Sequence, residues 1–342
     1  MILNQEKLSL MTVPTPLDYL ANVSGETGVN IYLKRDDLTN YGTGGNKLRK
    51  LEYLLKDALD QGATMILTVG GAQTNHGRLT AAVAAKYNLK CGIIAVDPYP
   101  GELSANLLLD GIMGCHVYLV QRDGIHSSRE LQEQAIEKVK KEWEGKGEKI
   151  YFIPAGGSDV KSIAGYYECA LELNRQMKEL GLLRSHLLTT VGSMGTYMGL
   201  ALGIKDNDLP IDLTGVCIFP YRNGIMPRLM DYYREIEEYF HFGLNLEEKD
   251  FKVTEDYTYG GYNNCVKEVR EAIYYLARKE GILTDPCYTG KTLKAALSMI
   301  EKGEIHKGEN LILHHTGGFP GLYTKHHRLA FEEELQSYVK IL

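Results

Sequence analysis

The 342-residue sequence lacks three features that point to particular classes of protein. No apolar run reaches the length needed to cross a bilayer, and the first 14 residues lack the basic and then apolar pattern of a signal peptide. The six cysteines include no Cys-x-x-Cys pair, so we predict reduced, buried thiols rather than disulfides or a zinc site. We therefore expect a cytoplasmic protein that has no membrane partner.

An excess of positive charge is also missing. The net charge is −6, which argues against nucleic acid as the main partner. A hydrophobic content of 44%, a charged content of 24% and the absence of low-complexity tracts are typical of a soluble globular protein. Because 342 residues exceed what one ordinary core accommodates, the length favours two domains.

Apolar strand-like segments alternate with amphipathic helical segments along most of the chain. This alternation predicts parallel sheets that helices cover on both faces, and hence a doubly wound α/β fold with two sheets. A tyrosine-rich stretch, residues 244–262, has no regular pattern. The predicted strands are residues 30–35, 65–69, 91–96, 116–120, 149–153, 187–191, 213–219 and 311–314, and the predicted helices are residues 47–61, 75–87, 103–113, 127–143, 162–180, 196–202, 226–240, 266–280 and 291–302.

Lys47 stands at the start of a predicted helix, directly after Gly44, Gly45 and Asn46. Glycines at such a turn remove Cβ atoms and let the backbone approach a bulky or charged group. Because the N-terminus of a helix is positive, a cation is unfavourable there, and a neutral, nucleophilic amine is favoured. The motif alone leaves two interpretations open: an amine that reacts with an aldehyde, and a surface lysine in a glycine-rich turn.

Two loops that follow predicted strands have the chemistry of an anion site, at the sheet edge where parallel α/β folds bind ligands. Residues 191–196 combine two glycines and two hydroxyl groups before a helix, which suits one phosphate group better than a nucleoside triphosphate. Residues 70–76 are rich in uncharged hydrogen-bonding groups above a helix N-terminus, which favours a carboxylate. The alternatives are a tight turn without a ligand and ordinary helix capping by Thr74 or Asn75.

Two further loops hold candidate proton-transfer groups. Tyr288 could donate or accept a proton, and Thr289 could bind a heterocycle nitrogen, although most of the 23 tyrosines must serve packing. His314 and His315 are adjacent on a predicted strand and so point to opposite faces. We interpret them as a wall of the site rather than as a metal pair.

With these motifs, the sequence resembles the fold-type-II pyridoxal-phosphate enzymes, and within them the 1-aminocyclopropane-1-carboxylate deaminase and D-cysteine desulfhydrase family. The resemblance implies a fold like that of the tryptophan synthase β chain, pyridoxal 5′-phosphate as cofactor, an amino-acid substrate, no metal, and a homodimer. It also implies a large cofactor-binding domain of residues 1–46 and 162–342 with a smaller inserted α/β domain of residues 47–161. The matching stretches are residues 34–38, 44–52, 73–82, 156–158, 192–196, 283–291 and 316–318.

The same resemblance implies roles for individual residues. It implies a Schiff base between the cofactor and Lys47, and ring contacts from Asn75 and Thr289. The implied phosphate site consists of Lys50, Gly192, Ser193, Met194, Gly195 and Thr196. The implied catalytic residues are Lys47, Thr74, Tyr262 and Tyr288, and the implied substrate-binding residues are Thr74, Asn75, His76, Gly157, Tyr262 and Tyr288.

The residue at position 289 suggests which reaction is catalysed. The resemblance implies that the deaminases of the family have an acidic residue at this position, which keeps the pyridine nitrogen of the cofactor protonated. Thr289 would instead leave this nitrogen neutral and make the cofactor a weaker electron sink. The weaker electron sink is sufficient for loss of a leaving group from Cβ. His76, which stands where the resemblance implies a glutamine in the deaminases, favours the same reaction. We therefore predict β-elimination from a small amino acid, with D-cysteine converted to pyruvate, ammonia and sulfide.

Two departures from the family pattern leave the substrate open. Thr74 replaces an expected serine, and residues 217–262 are longer and more aromatic than expected. One alternative is deamination of 1-aminocyclopropane-1-carboxylate, and another is a lyase that acts on cysteate, serine or diaminopropionate. A third is a non-catalytic amino-acid-binding protein, which would have no need of Lys47, Tyr262 and Tyr288 together.

Overall fold

The computed structural model describes residues 2–342, and over these residues it has a regular α/β architecture. The strands are β1 (Leu17–Tyr19), β2 (Asn30–Arg35), β3 (Met65–Gly70), β4 (Lys90–Ala95), β5 (His116–Leu119), β6 (Ile150–Ile153), β7 (Ser185–Val191), β8 (Ile211–Cys217), β9 (Val253–Thr254) and β10 (Asn310–His315). The helices are α1 (Ala21–Thr27), α2 (Lys47–Asp60), α3 (Asn75–Lys86), α4 (Ala105–Ile112), α5 (Ser128–Glu144), α6 (Ala164–Glu179), α7 (Gly195–Asp206), α8 (Met226–Phe240), α9 (Lys267–Glu280), α10 (Thr289–Glu301) and α11 (Lys325–Leu335).

The strands form two sheets. The larger has six strands in the order β1-β2-β10-β7-β8-β9, and all its neighbouring pairs are parallel except β1 with β2. The smaller has four parallel strands in the order β5-β4-β3-β6. The predicted fold class, two mainly parallel sheets with helices between successive strands, is confirmed. The proposed division of the chain at residues 46 and 162 stays a prediction.

Apolar periodicity explains how the helices lie on these sheets. The five apolar positions that predicted α2 are all fully buried, in a core that includes residues of the smaller sheet; they are Leu48, Leu51, Leu54, Leu55 and Ala58. On the larger sheet, α6 and α7 pack closely because α7 carries glycines at the contact. A Cβ atom on Gly199 would lie 2.5 Å from the Cβ of Tyr166, and one on Gly203 would lie 2.8 Å from that of Ala170.

Four elements were not predicted, and several begin one or two residues earlier than predicted. Helices α1 and α11, strand β1 and the two-residue strand β9 are new, and β9 lies in the stretch 244–262 that was predicted to be irregular. Helix α10 begins at Thr289, so this residue lies in the helix rather than in the preceding turn. Helices α1 and α11 bury few side chains, which leaves no apolar stripe to detect: Val23 and Ser24 in α1, and His327 in α11.

A buried ionic cluster, formed by Lys34, Asp36, Arg49 and Glu172, ties β2, α2 and α6 together. The Arg49 guanidinium contacts Asp36 Oδ2 and Glu172 Oε2 at 2.9 Å each, and Lys34 also pairs with Glu172. Burial disfavours the charged carboxylate of Asp36, but the Arg49 guanidinium and a bond with His314 outweigh burial and hold its pKa well below the ordinary value.

The remaining features bear on the surface and on the thiols. Of the helices between residues 2 and 342, none is both long enough and apolar enough to span a membrane. All six cysteines are free thiols; Cys265 is half-buried and the other five are buried.

Candidate active site

A cavity of about 300 Å³ lies beyond the carboxyl ends of strands from both sheets. Gly70 ends β3, Gly192 follows β7, Ile218 follows β8 and Thr316 follows β10, and all four residues line the cavity. This is the edge at which parallel α/β sheets bind ligands, so the position of the cavity agrees with the expectation from the loops.

Most of the predicted site residues come together in this cavity. Four predicted residues do not line the cavity: Lys50, Gly157, Gly195 and Thr289. The predicted residues in the lining are Lys47, Thr74, Asn75, His76, Gly192, Ser193, Met194, Thr196, Tyr262 and Tyr288. The remaining lining residues, which were not predicted as site residues, are Asn46, Gly70, Gly71, Ala155, Gly156, Thr190, Ile218, Phe219 and Thr316.

Lys47 is the first residue of α2, and a clamped turn presents it to the cavity. A Cβ on Gly44 would lie 1.9 Å from the carbonyl oxygen of Asp37, and the N–H of Asn46 donates to the carbonyl of Thr316 at 3.0 Å. The glycine therefore makes room for the backbone of the protein itself rather than for a ligand. Burial lowers the pKa of Lys47 to about 8, so a large fraction of its amine is neutral near that pH.

The loop at residues 192–196 forms the floor of an anion cradle with Lys50 and Ser158. Ser158 Oγ accepts from Lys50 Nζ at 3.0 Å and from the N–H of Gly195 at 3.3 Å. It also lies 2.9 Å from Ser193 Oγ, to which it donates. Burial and the nearby charge of Lys47 hold the pKa of Lys50 well below its ordinary value, so an anion here would relieve an unfavourable charge.

Gly195 is required in this cradle because it has no side chain. The left-handed backbone conformation of the turn belongs to the residue before it, Met194. Met194, with φ of 65°, precedes α7, and Gly195 is the first residue of that helix. A Cβ on Gly195 would lie 2.5 Å from Lys50 Nζ and 2.7 Å from Ser158 Oγ. A helix N-terminus, a buried amine and two serine hydroxyl groups thus surround a space that a side chain would fill, and they suit the phosphate of the expected cofactor.

The N-terminus of α3 forms another wall. Thr74 caps the helix, since its hydroxyl oxygen accepts from the N–H of Gly77 at 3.3 Å. Capping uses only the oxygen of the Thr74 hydroxyl as an acceptor, so its proton can still be donated to a ligand in the cavity. The N–H groups of Asn75 and His76 lie in the first turn, where no acceptor exists within the helix, so they favour a carboxylate.

The amide of Asn75 has one orientation because two donors fix its oxygen. Arg78 Nη1 and Asn106 Nδ2 each donate to Asn75 Oδ1 at 2.9 Å. The Nδ2 group is therefore the part of the amide that remains to donate to a ligand. Asn106 is held in turn by Gln73, and Arg78 also donates to the carbonyl of Gly44 at 2.9 Å.

His76 is a neutral imidazole with one unused acceptor. Thr68 Oγ1 lies 2.9 Å from His76 Nε2 and donates its own proton to the carbonyl oxygen of Ile153. Nε2 must therefore be the donor between the two side chains, and it carries the ring proton. Nδ1 has no partner among the described residues, and a Cβ on Gly157 would lie 3.3 Å from it. Burial, reinforced by the charges of Lys47 and Lys50, holds the pKa of His76 well below its ordinary value. Gly157 contacts the histidine ring and does not line the cavity.

Tyr262 and Tyr288 form a phenol pair at the cavity. Their hydroxyl oxygens are 2.8 Å apart and their rings meet edge to face. Burial raises the pKa of both groups, although 39% of Tyr262 as a whole is exposed. Both phenols are thus protonated near neutral pH, and since one donates to the other, one hydroxyl proton is left for a ligand.

Asp285, which was not predicted, sets the position of Tyr288 and Thr289. Its carboxylate accepts the N–H groups of both residues at 2.8 Å. Thr289 donates its hydroxyl proton to Asp285 Oδ1 at 2.7 Å and accepts from the N–H of Asp285 at 2.9 Å. With its proton committed, Thr289 cannot donate to a ring nitrogen, and its predicted ring contact is not supported by this arrangement.

The interpretation of His314 and His315 as a wall of the site is wrong. The two rings do point to opposite faces, His314 towards Thr189 and Asp36, and His315 towards the carbonyl of Leu283. Neither lines the cavity that contains Lys47; together with Thr289 they line a separate cavity of about 10 Å³.

Comparisons with known proteins give a consistent result. The model of the family described as "Pyridoxal-phosphate dependent enzyme" matches residues 8–317. A Pyrococcus abyssi protein that bears the name "Putative 1-aminocyclopropane-1-carboxylate deaminase" is 37% identical over 317 residues, or 93% of each chain. The D-cysteine desulfhydrase of Yersinia enterocolitica is 36% identical over 324 residues, or 94% of this chain and 96% of that protein. The crystal structure of an ACC deaminase homologue, 33% identical, has a TM-score of 0.84 and covers 99% of this chain and 98% of that one.

Proposed function

Because the chain belongs to the pyridoxal-phosphate dependent enzymes, in the family of the 1-aminocyclopropane-1-carboxylate deaminases and D-cysteine desulfhydrases, we propose that it is a lyase that removes the β-substituent of a small amino acid, with D-cysteine as substrate. One observation carries the proposal: the weakly basic amine of Lys47 and an anion cradle line the same cavity. A protein that only bound amino acids would need no such amine.

The residues fit pyridoxal phosphate. Lys47 would bind its aldehyde, and the cradle of Lys50, Ser158 and residues 192–196 would bind its phosphate. The free Nδ2 group of Asn75 would donate to the oxygen on its ring. When bound, the cofactor supplies an electron sink for the charge left on Cα when the proton there is removed.

The side chains of the cavity divide the remaining work. The first turn of α3 and Thr74 bind the substrate carboxylate. The neutral amine of Lys47 takes the Cα proton at Nζ, because it is a base of suitable pKa in the lining. As the Cβ–S bond breaks, sulfur leaves with the bonding pair, and the phenol pair of Tyr262 and Tyr288 supplies a proton to it. Loss of sulfide and hydrolysis give pyruvate and ammonia.

The charge of the lining favours a thiol over charged substituents. Among the lining residues, all of which the structure describes, Lys47 is the only one with a side chain that is charged near neutral pH. The β-ammonium of diaminopropionate would find no carboxylate in the lining. The sulfonate of cysteate would find no cation there other than Lys47, whose amine must be neutral to take the Cα proton. Burying a charge without a partner is costly. Ile218 and Phe219 offer apolar contact, which suits sulfur.

A substrate panel tests the proposal. The purified holoenzyme is offered D- and L-cysteine, cysteate, serine, diaminopropionate and 1-aminocyclopropane-1-carboxylate, and pyruvate, 2-oxobutyrate and sulfide are measured. We expect equal amounts of pyruvate and sulfide from D-cysteine. Release of 2-oxobutyrate from the cyclopropane acid at a higher kcat/KM would favour the deaminase, whose support is the similarity to the Pyrococcus abyssi protein.

Two lysine variants control this assay. Lys47→Ala should abolish keto-acid release. Lys56→Ala, on the exposed face of the same helix, should leave it unchanged, because Lys56 pairs with Glu6 and Asp60. Bound cofactor without keto acid from any substrate would contradict the proposal and favour an amino-acid-binding protein.

A further inference from the structure

The ammonium group of Lys291 is buried and is held by backbone carbonyl groups. Lys291 is the third residue of α10, and its side chain has no solvent-exposed surface. Its Nζ donates to the carbonyl oxygens of Ile218 at 2.7 Å, Thr258 at 2.8 Å and Gly261 at 2.7 Å. Three acceptors use all three N–H bonds of an ammonium group.

These three carbonyls resemble a binding site for a monovalent cation. Converging backbone carbonyl oxygens can replace the hydration shell of such an ion. Among the described residues no salt bridge joins Lys291 to a carboxylate, so its ammonium is held by hydrogen bonds to backbone carbonyl groups. We call the oxygens of Ile218, Thr258 and Gly261 the carbonyl nest.

The nest connects Lys291 to the phenol pair. Residues 258–261 lead directly into Tyr262, and Tyr288 immediately precedes the helix that carries Lys291. The hydroxyl groups of the two tyrosines meet at 2.8 Å. The ammonium group of Lys291 thus joins residues 258–261, which precede Tyr262, to helix α10, which follows Tyr288. It also binds the carbonyl of Ile218, a residue that lines the cavity.

The backbone leading to Tyr262 needs such a restraint. Tyr259 has φ of 49° and Asn263 has φ of 59°, values that side chains other than glycine adopt at a cost. Gly260 and Gly261 have φ of 78° and 139°. Four of the five residues from 259 to 263 thus have positive φ. Lys291 holds this stretch from outside through two hydrogen bonds, to the carbonyl oxygens of Thr258 and Gly261.

We propose that Lys291 is a positioning residue whose ammonium serves as a built-in monovalent cation, and that it holds residues 258–261 so that Tyr262 meets Tyr288. The effect on turnover rests on the proposed function, whereas the existence of the nest does not. It follows that the natural enzyme has no requirement for potassium, and that a chain in which the space of the Lys291 side chain is left empty acquires one.

Lys291→Ala tests this inference, because it leaves the nest intact and opens a space for a cation. The holoenzyme is assayed with D-cysteine at constant ionic strength, with tetramethylammonium chloride exchanged for potassium, ammonium or n-propylammonium chloride. In tetramethylammonium, which is too large for the nest, we expect kcat/KM to fall by about tenfold to a hundredfold, the cost of a misplaced catalytic group. Potassium or propylammonium should restore about tenfold of it in a saturable manner, while the natural enzyme changes little.

Lys291→Met is the matched control, because its uncharged side chain fills the space that a cation would enter. It should show the same loss without restoration by any cation. Equal activity of Lys291→Ala and the natural enzyme, restoration by tetramethylammonium, or the same cation response in both variants would overturn the inference.

Thermal unfolding of the same variants provides a readout that needs no substrate. The apoprotein of Lys291→Ala should unfold at a higher temperature in potassium than in tetramethylammonium, because a bound ion stabilises the folded state. Lys291→Met should not. A cation-dependent Tm of Lys291→Ala, together with no turnover of D-cysteine by the natural enzyme, would refute the proposed substrate but keep the nest. A Lys291→Ala chain that is unfolded in every salt would overturn the role of the nest as a cation site.

Discussion

The protonation state of Lys47 gives a prediction at the scale of single residues. Burial lowers the pKa of this amine to about 8, and only the neutral form attacks an aldehyde. The rate at which the apoprotein takes up pyridoxal phosphate should therefore rise between about pH 6.5 and 9.5, with a midpoint near 8. Stopped-flow absorbance of the bound cofactor measures this rate. A profile that is flat, or that shifts in Lys56→Ala, would contradict the assignment.

The buried ionic cluster gives a second prediction at this scale. Replacing Asp36 with asparagine leaves the Arg49 guanidinium short of one partner, which should lower the free energy of unfolding by about 3 kcal/mol. Because the folded-state pKa of Asp36 lies below the unfolded value, this contribution is present above about pH 4 and is lost as the pH falls through the folded pKa.

Asp37→Asn is the control for this experiment. Asp37 pairs with Arg35 in a partly exposed position, where an ion pair is worth about 1 kcal/mol or less. Urea unfolding at several pH values measures both variants. Equal losses at neutral pH, or a difference between the variants that grows on acidification, would show that the buried pair is not the source.

Most residues that line the cavity could be predicted from the sequence, whereas residues that act through others could not. Lys47 and Asn75 belong to local motifs with their own chemistry. Arg78, Asn106 and Asp285 act only by fixing another side chain, and Asn106 reaches Asn75 across 31 positions of the chain. No spacing rule encodes such a contact, so it becomes visible only when α3 and α4 are packed together.

At the scale of elements, the close contact of α6 and α7 gives a prediction. A Cβ on Gly199 would lie 2.8 Å from the carbonyl oxygen of Ile163 and 2.5 Å from the Cβ of Tyr166. Gly199→Ala should therefore lower the free energy of unfolding by about 1 to 3 kcal/mol, the usual cost of overpacking. Gly111→Ala on α4, where a Cβ would meet nothing within 4 Å, should cause no loss. Urea unfolding measures both, and an equal effect would exclude packing as the cause.

The predictability of elements follows from how much they bury. The ends of α8 were predicted to the residue, at 226 and 240, since its apolar positions recur at helical spacing. Strand β9 has two residues and is defined by its pairing with β8, which is a contact between distant segments. Such a strand carries no periodic signal of its own, and this explains why residues 244–262 were predicted to be irregular.

At the scale of the whole molecule, cofactor binding should stabilise both sheets together. The lining includes residues that follow β3 in the smaller sheet and β7, β8 and β10 in the larger one. Pyridoxal phosphate at a hundred times its Kd should add about 2.7 kcal/mol to the folded state. Calorimetry of the apo- and holoprotein should show one transition that moves to higher temperature. A cofactor that shifted only part of a divided transition would contradict a site shared by the sheets.

The oligomeric state is a separate prediction at this scale. We expect a homodimer, with a mass in solution of twice 38.3 kDa. Size-exclusion chromatography with light scattering measures this mass directly. A monomer at micromolar concentration would contradict the prediction without affecting the cavity, whose described lining comes from one chain.

The lining of the cavity draws on residues from Asn46 to Thr316. A ribosome adding about 5 to 20 residues per second needs roughly 15 to 50 s to pass from one to the other. For nearly all of that interval Lys47 is already part of the growing chain, while the wall that carries Thr316 has yet to be made. The cavity is therefore complete only after Thr316 has been made, and a chain that stops before this residue lacks part of the wall.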